Sequence, residues 1–582
     1  MTVEILRRAV PDNWHTLFPD LHPVLARVYA GRQVASEREL ETGLDRLPPP
    51  QLMKGMAQAV AVLARAVEDG RRILVVGDFD ADGATSTALA LRALRLLGAA
   101  DVQFLVPNRF EYGYGLTPEI VAVAAARAPD VIVTVDNGIA SLDGVRAARA
   151  HGMQVVVTDH HLPGATLPEA EAIVNPNQPG CQFPSKSLAG VGVIFYVMLA
   201  LRAALRDNGW FQRRSLESPN LAQLLDIVAL GTVADVVPLD HINRILVAQG
   251  LARIRSGRCC PGIQALLEVA GRRGDTVVAA DMGFAVGPRL NAAGRLQDMS
   301  LGIQCLLTDD PQQARALAAE LDGLNRRRRA IEDEMRDQAL HHLQALQLEE
   351  TAALPAGLCL FHEEWHQGVI GILAARIKER YHRPVIAFAA ADDDHIKGSA
   401  RSVAGFHIRD GLEAVATRCP GLVQKFGGHA MAAGLTVKRT DFEDFVCAFD
   451  AEVRRHLAED DLRGRVWSDG ALNGADLNLG LAESLRQAGP WGQGFPEPVF
   501  DGEFRLLKRR IVGERHLKLT LQTDGAGQVL DAIAFNVVDD AWPADVAMVK
   551  MAYKLDVNHY RDSRTLQLMV EHIEPLAATT PS

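Results

Sequence analysis

The 582-residue sequence has little of what builds a secreted or membrane-bound protein. Its seven cysteines, among them the adjacent Cys259 and Cys260, show neither paired spacing nor a zinc pattern. That argues against a disulfide framework and suits thiols used as small core residues in a reducing compartment. No apolar run approaches the length of a membrane span, and the N-terminal Met-Thr-Val-Glu-Ile-Leu-Arg-Arg has no signal-peptide core, so a cytoplasmic chain without membrane contact is expected. Excess positive charge is also lacking: at a formal net charge of −11, any nucleic-acid contact must come from local basic grooves. There is no internal repeat, no low-complexity tract and no heptad run long enough for a zipper, and a monomer is expected. What remains, 48% hydrophobic and 23% charged residues, fits a globular chain of about three or four domains.

The chain is organised around residues 73 to 83, an apolar strand-like run that ends in alternating acids. In an extended segment alternate side chains share a face, so Asp78, Asp80 and Asp82 can converge on one point. Carboxylates that close raise one another's pKa unless a cation sits among them. A solvated acidic loop is the plain alternative. The acids, however, follow a buried strand and precede Gly83 and a helical run, the strand end at which open α/β sheets bind ligands.

Further strands, Val102 to Val106, Val131 to Val135 and Gln154 to Thr158, recur at helix-length spacing, the βαβ signature of a parallel sheet. Their ends carry Asn108-Arg109, Asp136-Asn137-Gly138 and Asp159-His160-His161. Carboxylates with an imidazole suit Mn²⁺ or Mg²⁺, and a bridging carboxylate such as Asp136 would make a two-metal hydrolase. Helices are expected over residues 188–208 and 221–231, the second stopping at Gly231 before Asp235, a late ligand or a turn acid. Gly287 to Arg295 places Arg289, Asn291 and Arg295 on a small-residue scaffold, read either as a phosphate clasp or as an ordinary surface loop.

Asp309 to Leu348 reads as a long helix bridging two lobes, with Arg326 to Arg329 as a solvated face or a backbone-tracking groove. A second α/β domain begins near Ala356. Its segments Lys397 to Ser402 and Phe426 to Gly434 read as glycine-rich turns that present Ser399, Arg401, Ser402, Gly428 and His429 to an anion. Beyond Trp467 short alternating strands suit a small oligonucleotide-binding barrel, made locally basic by Arg505, Lys508, Arg509, Arg510, Arg515 and Lys518.

Asp78-Phe79-Asp80-Ala81-Asp82-Gly83, Asp136-Asn137-Gly138, Asp159-His160-His161 and Asp235 together resemble the four motifs of the DHH phosphoesterase superfamily. Trp365 to Gly368, Lys397 to Ser402 and Gly427-Gly428-His429 look like its associated DHHA1 domain. Within the superfamily the chain is similar to bacterial exonucleases that digest single-stranded DNA from 5′ to 3′ in repair and recombination. The resemblance implies two ions, Asp78 and Asp80 serving the first, Asp82, His160 and Asp235 the second, with Asp136 bridging and His161 orienting its neighbours. Relatives that cleave pyrophosphate carry a histidine where Val76 stands, which leaves direct ligation by Asp78 open. Arg109, Arg289, Arg295, Ser399, Arg401 and His429 would hold the strand end. Single-stranded DNA is the expected partner, with a single-strand-binding protein and a helicase as candidate protein partners.

The expected fold is α/β: an N-terminal arm (1–50), a parallel-sheet catalytic lobe (51–305), a linking helix (306–352), a DHHA1-like α/β lobe (353–464) and an OB-like barrel (465–582). The alternatives are a phosphoesterase for short oligonucleotides or cyclic dinucleotides and a non-catalytic single-strand-binding scaffold. A length series of substrates separates the first; the presence of every motif acid and histidine argues against the second.

Overall fold

The computed structural model describes residues 3–107, 115–348, 354–513, 516–523, 527–535, 546–560 and 563–576. The arm opens with a strand, β1 (Val3–Arg7), that takes no part in the first lobe's sheet. That sheet consists of β2 (Arg72–Val76), β3 (Asp101–Leu105), β4 (Val131–Val135), β5 (Gln154–Thr158) and β6 (Ala172–Val174), in the order β3-β2-β4-β5-β6 and parallel throughout. The chain runs from β2 outward to β3, then returns to the other side of β2 for β4. This reversal opens a crevice at the carboxyl ends of β2 and β4, the place where such sheets take ligands. Val131 to Val135 are buried throughout, as strands covered by helices on both faces must be.

The helix expected to stop at Gly231 instead runs Leu225–Ala234, with Asp235 at its C-terminal cap. Gly231 is interior because the helix passes close to its neighbour: a Cβ there would sit 2.2 Å from Thr85 Oγ1. Gly287–Leu296 is likewise a helix and not a surface loop, and Arg289 within it is buried. The linking helix spans Pro311–Leu348, about 57 Å at the α-helical rise. Its arginine run is not one solvated face. Arg328 is buried and paired with Glu332 at 2.8 Å, while Arg326 turns back to Asp322 at 3.2 Å.

The second lobe holds β7 (Leu358–His362), β8 (Val385–Ala390), β9 (His395–Arg401), β10 (Lys425–Gly428) and β11 (Ala432–Lys438), in the order β10-β11-β9-β8-β7. The two segments expected as glycine-rich turns are therefore mostly strand. Gly398 serves packing: a Cβ on it would lie 2.6 Å from both Leu435 and Phe388.

The strand β12 (Gly464–Ser468) leads into a closed barrel of β13 (Phe500–Val512), β14 (His516–Gln522), β15 (Val529–Ala534), β16 (Met548–Tyr560) and β17 (Ser563–Leu576). Part of its basic dressing is neutralised, since Lys518 pairs with Asp531 at 3.0 Å; Arg515 lies outside the described residues. The arm reaches across to the neck of the barrel. β1 pairs in parallel with β12, Arg7 pairs with Asp501 at 2.7 Å, and the buried Arg32 pairs with Asp469 at 2.8 Å. All seven cysteines are unpaired; Cys305 is buried, but Cys447 is exposed, so the thiols are not uniformly core residues.

Candidate metal centre

Each strand end contributes through a different local device. After β2, Asp80 caps the helix Ala81–Leu96 by accepting from the Gly83 amide at 2.9 Å, and Asp78 Oδ1 accepts from the Phe79 amide at 2.7 Å. Asp82, one turn in, accepts from the amides of Gly190 (2.6 Å) and Val191 (3.0 Å) at the start of the helix Gly190–Asp207. A helix N-terminus favours such a carboxylate. After β4, Asp136 adopts φ +60°, a left-handed conformation that costs an aspartate energy and is typical of a functional turn.

These devices bring the side chains into two adjacent groups. Asp78, Asp80 and Asp136 offer oxygens within 4.8 Å of one another, and so do the ligand atoms of Asp82, His160 and Asp235. His160 Nε2 joins the groups, lying 3.1 Å from Asp136 Oδ1, 3.5 Å from Asp235 Oδ2 and 4.0 Å from Asp82 Oδ2. A third group links Asp136 and His160 with His161.

The electrostatics fit a divalent cation. Burial, then the charge of Asp80, pushes Asp82 up to about 7. Burial and the neighbouring acids hold Asp136 and Asp235 well above the ordinary carboxylate range. Burial, then His161, lowers His160 to about 4, so its imidazole is neutral. His160 Nε2 and Asp235 Oδ2 are buried with no hydrogen-bond partner among the described residues. Carboxylates crowded around an imidazole nitrogen repel unless a cation lies among them, and an O/N donor set of this kind suits Mn²⁺ or Mg²⁺.

A surrounding set of groups fixes this cluster; Asp159 and Asn137 stood in the sequence motifs without a role, and Asn175, Asn177 and Gly190 were not singled out. Asp159 is not in any of these groups: its Oδ1 accepts from the His160 and His161 amides at 2.7 and 3.0 Å and meets His161 Nδ1 at 2.7 Å. Burial disfavours charge on His161, but the bond and charge of Asp159, with Asp78 and Asp80, raise it to about 9. Asn177 and Asn175 donate to the His160 and His161 carbonyls at 2.6 and 2.9 Å. The only sequence signal for this pair is Asn175-Pro176-Asn177 directly after β6. Asn137 ties β2 to β4 by donating to Val76 O (3.1 Å) and Val135 O (2.9 Å). Gly190 leaves the room Asp136 needs, because a Cβ there would stand 2.7 Å from the Asp136 Cβ.

The residues expected to grip substrate divide. Arg109 lies outside the described residues. Arg289 is engaged elsewhere, donating to Asp322 at 3.0 Å and to Ala285 O at 2.6 Å. Asn291 accepts from the Ala81 amide at 2.9 Å, and a Cβ on Gly294 would meet Phe79 O at 1.8 Å, so this helix buttresses the acid loop. Arg295 reaches the other lobe, donating to Gly368 O at 3.0 Å. Ser402 is buried against Phe406 O at 2.6 Å, and Gly428, at φ +148°, shapes the hairpin turn.

Ser399 and Arg401 lie beside the start of the helix Ile370–Tyr381, where a Cβ on Gly371 would come 2.9 Å from Ser399 Oγ and 3.0 Å from Arg401 Nη2. Arg401 has no carboxylate within ion-pairing distance among the described residues, and burial lowers its pKa. His429 brings the second lobe to the cluster, its ring stacked on His161 with centroids 6.1 Å apart.

Comparison with known proteins places this geometry. Residues 72–232 match the DHH family N-terminal domain, 353–455 the DHHA1 domain and 468–572 the RecJ OB domain. The chain is 59% identical over 563 residues to the single-stranded-DNA-specific exonuclease RecJ of Dickeya dadantii, covering 96% of this chain and 98% of that protein. The crystal structure of RecJ from Thermus thermophilus in complex with Mn²⁺ superposes with a TM-score of 0.81 at 31% identity, covering 99% of this chain and 80% of that one. The Mg²⁺ complex from the same organism gives 0.75 at 30% identity, over 99% and 79%. With the DHH, DHHA1 and OB matches in the same order as its lobes, the chain belongs to the RecJ family of single-stranded-DNA-specific exonucleases.

Proposed function

We propose that the chain hydrolyses phosphodiester bonds of single-stranded DNA from the 5′ end. The observation that carries this is the pair of acid and histidine groups at the switch point of the first sheet, Asp78/Asp80/Asp136 and Asp82/His160/Asp235, linked by the group Asp136/His160/His161. Asp136 belongs to the first group and also stands beside His160, which suits it to bridge two ions. When bound, two divalent ions supply an acidified water and neutralise charge developing on the phosphoryl oxygens. The protein's part is to hold Asp82 on a helix N-terminus, to keep His160 neutral, and to orient His161 through Asp159. Ser399 and Arg401 take the terminal phosphate, with His429 closing from the second lobe and the barrel gripping strand beyond. Every motif acid and histidine is present and the barrel suits a long polymer, which favours this reading over a scaffold or a short-substrate phosphoesterase.

The same reading places the chain in the cytoplasm as a monomer, working beside a helicase and a single-strand-binding protein, since its substrate must first be unpaired. No helix among the described residues is long and apolar enough to cross a membrane.

The test is digestion of one oligonucleotide labelled at either end, with Mn²⁺, Mg²⁺ or chelator. The 5′ label should leave at once as mononucleotide while the 3′-labelled strand shortens gradually, and chelator should stop both. Asp136→Ala should reduce cleavage to background while strand binding persists, because the substitution removes a ligand and leaves the basic surfaces intact. Near-normal cleavage by that variant would overturn the two-metal assignment.

A further inference from the structure

A cavity of 570 Å³ opens between the first lobe and the neck of the barrel. Val236, Phe284 and Arg255 line it from the first lobe, and Trp491 and Arg486 from the neck of the barrel. Val236 directly follows Asp235, adopts φ +60° and is 62% exposed. Phe284 is 81% exposed, more than any other large hydrophobic residue described.

The exposure of Phe284 is built. It sits on a π-helical turn, Met282–Val286, and π-turns recur at functional sites. That turn packs on the end of the helix that delivers Asp235: a Cβ on Gly283 would lie 3.3 Å from Val233. Arg289, anchored on Asp322, donates to Ala285 O at 2.6 Å and holds the turn in place. An aromatic ring held in solvent at the mouth of a cavity is costly unless something covers it.

The two arginines indicate what does. Arg255 donates to Val277 O at 2.8 Å and Arg486 to the adjacent Thr276 O at 3.0 Å, so two guanidinium groups from different lobes meet at one loop. Burial, then the charge of Arg486, lowers the pKa of Arg255, and the Asp281 carboxylate offsets this only in part. Arg486 has a carboxylate only at 4.0 Å, that of Asp556. A phosphate on the arginines with a base against the ring satisfies both features, and stacking on aromatics is the sequence-tolerant way to hold single strands.

Resting on the exonuclease reading, we propose that this cavity seats a nucleotide of the single strand beyond the scissile phosphate, its base on Phe284 and Val236 and its phosphate on Arg255 and Arg486. Phe284 then positions the strand and takes no part in bond cleavage.

Two measurements test this. For a twelve-nucleotide strand, Phe284→Ala should raise KM by about tenfold with little change in kcat, and Phe284→Trp should restore KM. A KM within about twofold of the parent in Phe284→Ala would overturn the proposal. Independently, a strand carrying 5-iodouracil at successive positions, irradiated on the full chain in chelator, should crosslink to the Phe284 peptide from a narrow set of positions. Crosslinks confined to the barrel would overturn it as well. If the parent cleaves no strand, the exonuclease reading fails, and the crosslink still decides whether the cavity holds DNA.

Discussion

His161 owes its orientation to Asp159, whose carboxylate also receives the His160, His161 and Ile139 amides. Asparagine in its place would turn an amide donor toward one of those donors. Asp159→Asn should therefore lower metal affinity or activity by about 10- to 100-fold, as loss of an outer ligand-orienting carboxylate does, read by calorimetric Mn²⁺ titration with the fold checked by circular dichroism. The acids themselves were legible because their alternation after an apolar strand needs only the period of a β-strand to place them together. Asp159 stood in a sequence motif without a role of its own, although its partners His160 and His161 are its immediate neighbours. Asn175 and Asn177 were not legible as positioning residues, because their work depends on β5 and β6 lying side by side, which no local pattern reveals.

At the scale of elements, the centre depends on close approach. Gly190 begins a helix whose amides hold Asp82 while its missing side chain admits Asp136. Gly190→Ala should displace Asp136, with strong loss of activity and a stability loss of about 1–3 kcal/mol, typical of overpacking; activity against chemical denaturation separates the two effects. The βαβ rhythm gave β3 to within one residue and β4 and β5 at their observed bounds. β9 and the β10-β11 hairpin were hidden because Lys-Gly-Ser-Ala-Arg and Phe-Gly-Gly-His carry turn residues. Their extended form is set by packing on Phe388 and Leu435, a tertiary effect that overrides propensity. The helix over residues 287–296 was read as a clasp or a loop for a related reason: its small residues serve the approach of the Phe79 carbonyl.

At the scale of the whole molecule, the arm and the barrel neck are fastened by buried charge. Arg32 and Asp469 have side chains only 1% and 2% exposed, and Arg32 also donates to Val28 O and Pro496 O at 2.7 and 2.8 Å. Arg32→Ala leaves the buried carboxylate with only Arg8 at 3.7 Å and the Val499 amide at 3.1 Å as partners among the described residues, and should cost up to about 3–5 kcal/mol in chemical denaturation. Arg7→Ala, at a site with 63% of the arginine side chain exposed, should cost no more than about 1 kcal/mol. Equal losses in the two variants would contradict a buried anchor.

The pairing of β1 with β12 also sets an order of events at the ribosome. Residues 3–7 emerge first, yet their partner strand, 464–468, is made only after both α/β lobes. Throughout that interval the nascent chain carries an open strand edge and a buried-type arginine without its aspartate. Closing the arm is thus a late step in biogenesis, and until it happens the edge of β1 is open to wrong pairing.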